Sequence, residues 1–237
     1  MNPQPALYLF PVGLSDAPAH EVLPRTNLEL LHEVKHLVVE NVRTARRFLK
    51  AVDREIDVNA IDFVELNEHT PADQVPQMLA PIIERGEAVG VLSEAGCPAV
   101  ADPGSDLVAA AQRRGIKVVP LVGPSSILLS LMGSGFSGQS FAFLGYLPIE
   151  ESRRAKQLKE MQRRITSERQ TQIFIETPYR NNKLIEELVR RLPGNMLLCV
   201  ASNLTSEQQS IITQPLSRWA GAKYDYNKVP TIFLLFS

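Results

Sequence analysis

Cysteine is scarce in this 237-residue chain: Cys97 and Cys199 are too few for a disulfide framework or a cysteine-built zinc site. Both lie in apolar, strand-like surroundings and read as small buried hydrophobes. Four scattered histidines (His20, His32, His36, His69) show no metal spacing, so no metal is implied. No apolar run approaches the roughly 20 residues of a spanning helix, which argues against a membrane protein. An excess of one charge is also missing. With 25 Lys+Arg against 26 Asp+Glu the net charge is −1, so the overall field cannot grip nucleic acid, and any such role needs a local patch. The opening MNPQPALYLFPVG lacks a basic segment, a long apolar stretch and a small-residue cleavage site. It does not read as a secretory signal, and a reducing cytoplasm is the expected setting. What is present is ordinary: 44% hydrophobic and 22% charged residues fit a globular protein with one large domain or two small ones.

Short apolar runs alternate with amphipathic stretches over the first half. Strands are expected at 6–10, 37–40, 88–92 and 116–121, and helices at 28–34, 43–52, 73–85 and 106–114. Continuously apolar strands separated by helices imply parallel pairing with both faces covered. After Val122-Gly123-Pro124 the texture changes. A short apolar helix (125–132), a strand (141–144) and a highly charged helix (150–169) come first. They are followed by a strand (172–176), a helix (181–192) and strands at 196–201 and 231–236. In the 181–192 helix, Leu184, Ile185, Leu188 and Leu192 repeat at the helical period. The expectation is an α/β chain of two domains, 1–121 and 122–237.

Gly133-Ser134-Gly135-Phe136-Ser137-Gly138 is formally G-x-G-x-x-G. A dinucleotide site needs a strand before that pattern and a helix after it, and here the order is reversed, so it reads as a helix-to-strand loop. More informative are three turn-rich segments, each directly after an expected strand: Pro11-Val12-Gly13, Ser93–Gly104 (SEAGCPAVADPG) and Val122–Ser126 (VGPSS). Ligands of open parallel sheets bind beyond the carboxyl ends of the strands, where glycine permits close backbone approach. Any one segment is explained as a tight connection; three together point to a small-ligand cleft. Glu40, Glu68, Glu94, Asp102 and Glu176 stand at or just after strand ends, where capping and ion pairing compete with a catalytic role. The charged helix sets Arg153, Arg154, Lys156, Lys159, Arg163, Arg164 and Arg169 against Glu150, Glu151, Glu160 and Glu168, either a solvated face or a phosphate-contacting patch.

Taken together these segments resemble the tetrapyrrole-methylase superfamily of S-adenosylmethionine-dependent methyltransferases. The nearest branch is the one that modifies a cytidine 2′-hydroxyl in small-subunit ribosomal RNA. Its S-D-A-G-T-P-x-I-S-D-P-G is similar to Ser93–Gly104, its G-P-S-A to Gly123–Ser126 and its F-x-F-x-G-F-L-P to Phe141–Pro148. Its F-Y-E-S-P-H-R is similar to Phe174–Arg180 and its A-R-E-L-T-K to Ala201–Ser206. The resemblance implies two α/β domains with the cofactor in the cleft between them, a homodimer, and ribosomal RNA or the small ribosomal subunit as partner. By position, Pro11, Cys97, Val100, Ser125 and Ser126 match the family's cofactor contacts, and Glu176, Ala201 and Thr231 are further equivalents.

The departures lie in the first domain. P-I-G-N-L becomes Pro11–Ser15 without the asparagine, and A-E-D-T-R becomes Val39-Glu40-Asn41-Val42-Arg43. H-E-x-N is reduced to Leu66–His69, keeping Glu68. The chain also ends sooner than this branch leads one to expect. The implied chemistry is in-line methyl transfer, with alignment of donor and acceptor as the protein's main task. A ribose hydroxyl also needs a base, for which Glu40 and Glu68 are the candidates, with Arg43 as phosphate or orientation partner. A tetrapyrrole or other small acceptor remains an alternative, as does a non-catalytic module that holds cofactor or RNA.

Overall fold

Side chains of Leu7–Phe10 (β1) alternate between two faces, and both faces are buried. Tyr8 and Phe10 join one apolar cluster with Leu31, Ala45 and Leu49, while Leu7 and Leu9 join another with Leu79, Leu107 and Ala110. Burial on both faces explains why the strand reads as an unbroken apolar run. The computed structural model describes residues 3–237, and the chain divides into two compact units, Met1–Ser125 and Ser126–Ser237.

In the first unit His36–Val39 (β2), Asp62–Glu65 (β3), Val89–Leu92 (β4) and Val118–Pro120 (β5) join β1 in an all-parallel sheet of order β3-β2-β4-β1-β5. Arg25–Glu33 (α2) and Val42–Val52 (α3) supply Leu31, Ala45 and Leu49 to one face. Ala80–Arg85 (α4) and Gly104–Arg113 (α5) supply Ile82, Leu107 and Ala110 to the other. Because every strand runs the same way, the segments after β1, β2, β4 and β5 all emerge at one edge.

The second unit has a mixed sheet of order β6-β7-β10-β8-β9. Its strands are Phe141–Tyr146 (β6), Thr171–Ile175 (β7), Leu197–Ser202 (β8), Ser210–Pro215 (β9) and Thr231–Phe236 (β10). Only β6 and β7 run parallel; the other pairs are antiparallel. Phe174, Val200 and Phe233 pack with Leu158 and Ile165 of Glu151–Glu168 (α7) and Leu188 of Asn181–Arg191 (α8). Ser126–Ser134 (α6) lies against β8, β9 and β10.

Three local expectations are corrected, and a fourth is met. The 73–85 helix is a tight three-residue-per-turn stretch, Val75–Leu79, followed by α4, because Pro76 and Pro81 withhold amide donors. The edge strands β3 and β9 and the short helices Ala19–Val22 (α1) and Leu216–Trp219 (α9) were not expected. Cys97 lies in the connection after β4 and is half-buried, whereas Cys199 is fully buried in β8. At the G-x-G-x-x-G pattern α6 runs through Ser134, Gly135 takes φ +77°, and β6 follows, as a helix-to-strand loop requires.

Candidate functional site

The three turn-rich segments of the first unit meet one another. They follow β1, β4 and β5, which are neighbours in the sheet. The Val12 amide donates to the Gly96 carbonyl at 2.9 Å, joining the first segment to the second. The Cys97 thiol donates to the Pro124 carbonyl at 3.5 Å, joining the second to the third. A Cβ on Gly123 would stand 2.2 Å from the Pro11 Cβ, so the first and third segments approach as only glycine allows. Asn27 of α2, itself buried, fixes the third segment by donating to the Val122 carbonyl at 2.8 Å.

Within Ser93–Gly104 two alanines adopt left-handed backbone, Ala99 at φ +65° and Ala101 at φ +60°. Such residues hold only where surroundings over-determine them. Here the constraint is the Asp102 carboxylate, which accepts from the Ala99 amide at 2.9 and 3.0 Å and from Gly104 at 2.8 Å. Between the alanines Val100 is held 50% exposed, an apolar side chain displayed by a strained turn. Burial pushes the Cys97 thiol above its usual pKa, so it is a neutral donor rather than a nucleophile.

Beside this cluster the first unit contains a cavity of about 610 Å³. Its floor is Val12, Val39 and Leu92, at the ends of β1, β2 and β4. One wall is α3, through Thr44, Arg47 and Phe48; another is the 15–19 segment. Glu40, Ser93, Glu94 and Asp16 supply polar lining. The Glu40 carboxylate accepts from the Glu94 amide at 3.0 Å, and the Thr44 hydroxyl donates to the Glu94 carboxylate at 3.0 Å. Burial raises the Glu40 pKa, the Glu94 amide pulls it down, and the Asp102 and Glu94 charges push it up again. Asp102 is likewise raised by burial, against the two amides that favour its charged form. The side chain of Asn41 accepts from the Arg43 and Thr44 amides and so caps α3. Asparagine and aspartate cap equally well, so the change from aspartate in the family pattern leaves the local fold intact.

Of the three residues expected to act on the acceptor, only Glu40 lines this cavity. Arg43 lies exposed in the first turn of α3. Glu68, in the segment after β3, is 86% exposed and faces only His69 at 3.6 Å.

In the second unit Glu176, Ala201 and Thr231 gather at one end of three adjacent strands. Ile175 and Ala201 both pair with Ile232, Thr231 pairs with Ser202, and Glu176 follows directly after β7. Glu176 is buried, and its carboxylate takes the Thr177 amide at 2.7 Å and the Arg180 guanidinium at 2.8 and 2.7 Å. The Thr231 hydroxyl donates to the Val229 carbonyl at 2.9 Å, and Ser126 opens α6. Most arginines of the charged helix are paired with carboxylates of that helix or of α8. Arg163 and Arg164 share Glu160, Arg153 pairs Glu150, and Arg154 pairs the buried Glu187. Arg163, with Arg164, holds the Glu160 pKa down to about 2.

Residues of the cavity that sequence reasoning passed over are Asp16, Thr44, Arg47 and Phe48. The helical spacing of α3 places Thr44, Arg47 and Phe48 on adjoining positions, a signal the sequence does carry.

Residues 8–220 match the family described as Tetrapyrrole (Corrin/Porphyrin) Methylases. The "Ribosomal RNA small subunit methyltransferase I" of Vibrio cholerae is 30% identical over 216 residues, covering 91% of this chain and 70% of that protein. Its namesake from Halalkalibacterium halodurans is 28% identical, covering 81% of this chain and 64% of that protein. The chain therefore spans about two thirds of the length of these relatives. Among solved structures, the methyltransferase CobJ aligns with a TM-score of 0.63 at 17% identity, over 98% of this chain and 94% of that one. Uroporphyrin-III C-methyl transferase from Thermus thermophilus, complexed with S-adenyl homocysteine, aligns at 0.56 and 16% identity, over 98% and 97%. At that identity the likeness establishes the fold, and the family match establishes the rest: the chain belongs to the tetrapyrrole methylase family of S-adenosylmethionine-dependent methyltransferases.

Proposed function

We propose that this chain transfers a methyl group from S-adenosylmethionine to a ribose hydroxyl of small-subunit ribosomal RNA. The acceptor nucleoside would sit in the 610 Å³ cavity of the first unit. One observation carries the reading: Glu40, the acid kept from the family pattern, lines that cavity with its pKa raised by burial. A base is most effective when its pKa moves towards the working pH, and burial moves a carboxylate that way. The names of the relatives supply the acceptor class.

The residues that would hold the cofactor are Pro11, Cys97, Val100 and Ser125 in the first unit, and Ser126, Glu176, Ala201 and Thr231 in the second. The first set fits a ligand of this kind. Its backbone lies at the carboxyl ends of adjacent strands, Gly123 lets Pro11 pack close against the third segment, and Val100 offers an exposed apolar contact. When bound, the cofactor supplies an electrophilic methyl group on a sulfonium. Glu40 would take the acceptor's hydroxyl proton as the methyl group exchanges its bond to sulfur for one to the acceptor oxygen. Ser93 and Thr44, hydroxyls of the cavity wall, orient the acceptor, and Arg43 contacts a flanking phosphate. Glu68 enters this scheme as a contact at the exposed β3 end rather than as the base.

A carboxylated tetrapyrrole is the lesser reading, because Asp16, Glu40 and Glu94 face the same cavity and like charges repel. The proposal includes a homodimer acting in the cytoplasm, checked by light scattering and fractionation. The deciding experiment supplies methyl-labelled S-adenosylmethionine with small ribosomal subunits lacking the modification. Label recovered as a 2′-O-methylated nucleoside supports the reading. Label in a tetrapyrrole, or cofactor binding without transfer to any acceptor, overturns it.

A further inference from the structure

Cations on α3 follow a rule that its stability does not explain. Within Val42–Val52 there are four, Arg43, Arg46, Arg47 and Lys50, and no acidic residue. They are spaced i, i+3, i+4 and i+7, so they form one stripe, opposite the buried Ala45 and Leu49. All four are exposed. Among the described residues none of the four is ion-paired: Arg46 lies over the Phe63 ring at 5.3 Å, and Lys50 donates to the carbonyls of Arg54 and Ile56. Arg43 stands in the first turn, where the helix dipole disfavours a cation. Arg47 belongs both to the stripe and to the cavity wall, so the stripe runs from the cavity along the surface of the same unit. On α7, by contrast, four arginines are matched to carboxylates, which leaves Lys156 and Lys159 as the cations without one.

We propose that the basic stripe of α3 is the track along which this protein holds the sugar–phosphate backbone of its RNA, on either side of the nucleotide placed in the cavity. The inference rests on the ribosomal RNA reading and adds to it a surface and its partner. Unpaired guanidinium groups in a row match phosphates, which they bind through paired N–H donors. A chain of net charge −1 has no other means of concentrating positive potential than such a local row. The stripe also separates two tasks: the cavity, lined by Asp16, Glu40 and Glu94, receives the nucleoside, while the cations along α3 take the phosphate charge.

The test measures binding of protein-free small-subunit ribosomal RNA against salt concentration for the full chain and for the double variant Arg43→Gln/Arg47→Gln. Loss of two phosphate contacts lowers the slope of log affinity against log salt by about 1.4, at about 0.7 per contact on single strands. Lys156→Gln/Lys159→Gln on α7 leaves the slope unchanged, and S-adenosylhomocysteine affinity confirms that each variant is folded. Steep salt dependence in the parent with equal slope in the α3 variant overturns the stripe while the RNA reading stands. An α7 variant that lowers the slope instead moves the track to that helix and likewise overturns the proposal. Absence of salt-dependent RNA binding by the parent overturns both. Tighter binding of the parent to vesicles of anionic lipid than to RNA, lost in the α3 variant, reassigns the stripe to a membrane surface.

Discussion

A carboxylate that serves as a base must be ionised when the acceptor arrives, and burial works against ionisation at Glu40. Its pKa stands above the ordinary 4.5, and Asp102, raised above 3.8, adds to the repulsion. A group whose folded pKa is raised holds its proton more tightly in the folded chain than in the unfolded one. The stability it contributes is complete below the ordinary value and is lost as pH rises through the raised one. Ionising Glu40 in the folded chain therefore costs stability, because burial and the neighbouring charges favour its neutral form. Glu40→Gln keeps the acceptor for the Glu94 amide and removes the charge. Its melting temperature at pH 7 is expected to be no lower than that of the parent, with the difference closing below about pH 4. Methyl transfer falls about 10²-fold or more, the usual worth of a positioned base. A thermal melt and a single-turnover rate on the same sample check both halves, and a variant that loses stability but not rate removes Glu40 from the mechanism. Asp102→Asn gives the complementary result. One side-chain oxygen already serves both Ala99 and Gly104, so the turn survives, while loss of the negative charge lowers the Glu40 pKa. The acid limb of the pH–rate profile then moves to lower pH.

Elements that read most clearly in the sequence are those whose burial is simplest. β1, β4 and β10 are buried on both faces, so their residues are continuously apolar and their bounds fall close to expectation. β3 and β9 are edge strands with exposed or half-buried residues, and segments such as Asp62-Phe63-Val64-Glu65 carry too little apolar weight to stand out. The 73–85 region has helical periodicity, but periodicity does not register the amides that Pro76 and Pro81 withhold. The candidate site is legible as loops: small residues after β1, β4 and β5 mark three segments that the fold brings into contact. What composition could not show was which cations are free, since α7 spends its arginines on neighbouring carboxylates and α3 has none to spend them on. At this scale the cap of α3 is the testable link between fold and site, because Asn41 fixes the turn that follows Glu40. Asn41→Ala is expected to cost about 1 kcal/mol, and Asn41→Ser to retain most of it. Urea denaturation measures the difference, and equal stability of the two variants would show that the cap bonds contribute nothing.

For the molecule as a whole, the two units solve the burial problem differently. The first covers a parallel sheet on both faces, and the second packs its main apolar cluster on one face of a mixed sheet, with α6 on the other. The residues assigned to the cofactor by resemblance are shared between these two cores. Each unit places its set at strand ends, a position where backbone groups not consumed by the ladder are free to meet a ligand. A ligand that binds only the folded chain stabilises it by an amount set by its concentration relative to Kd, about 2.7 kcal/mol at a hundredfold excess. That stabilisation is local wherever opening of a segment breaks contact with the ligand. Hydrogen exchange with and without saturating S-adenosylhomocysteine should therefore slow in two separate places. One is the Ser93–Gly104 segment, with its left-handed residues Ala99 and Ala101, together with Val122–Ser125. The other is the end of β7, β8 and β10 around Glu176, Ala201 and Thr231. Exchange in β3, at the far edge of the first sheet, should not change. Slowing confined to the first unit would remove Glu176, Ala201 and Thr231 from the cofactor set while leaving the strand-end loops in place. Slowing confined to the second would remove Pro11, Cys97, Val100 and Ser125 from the cofactor set.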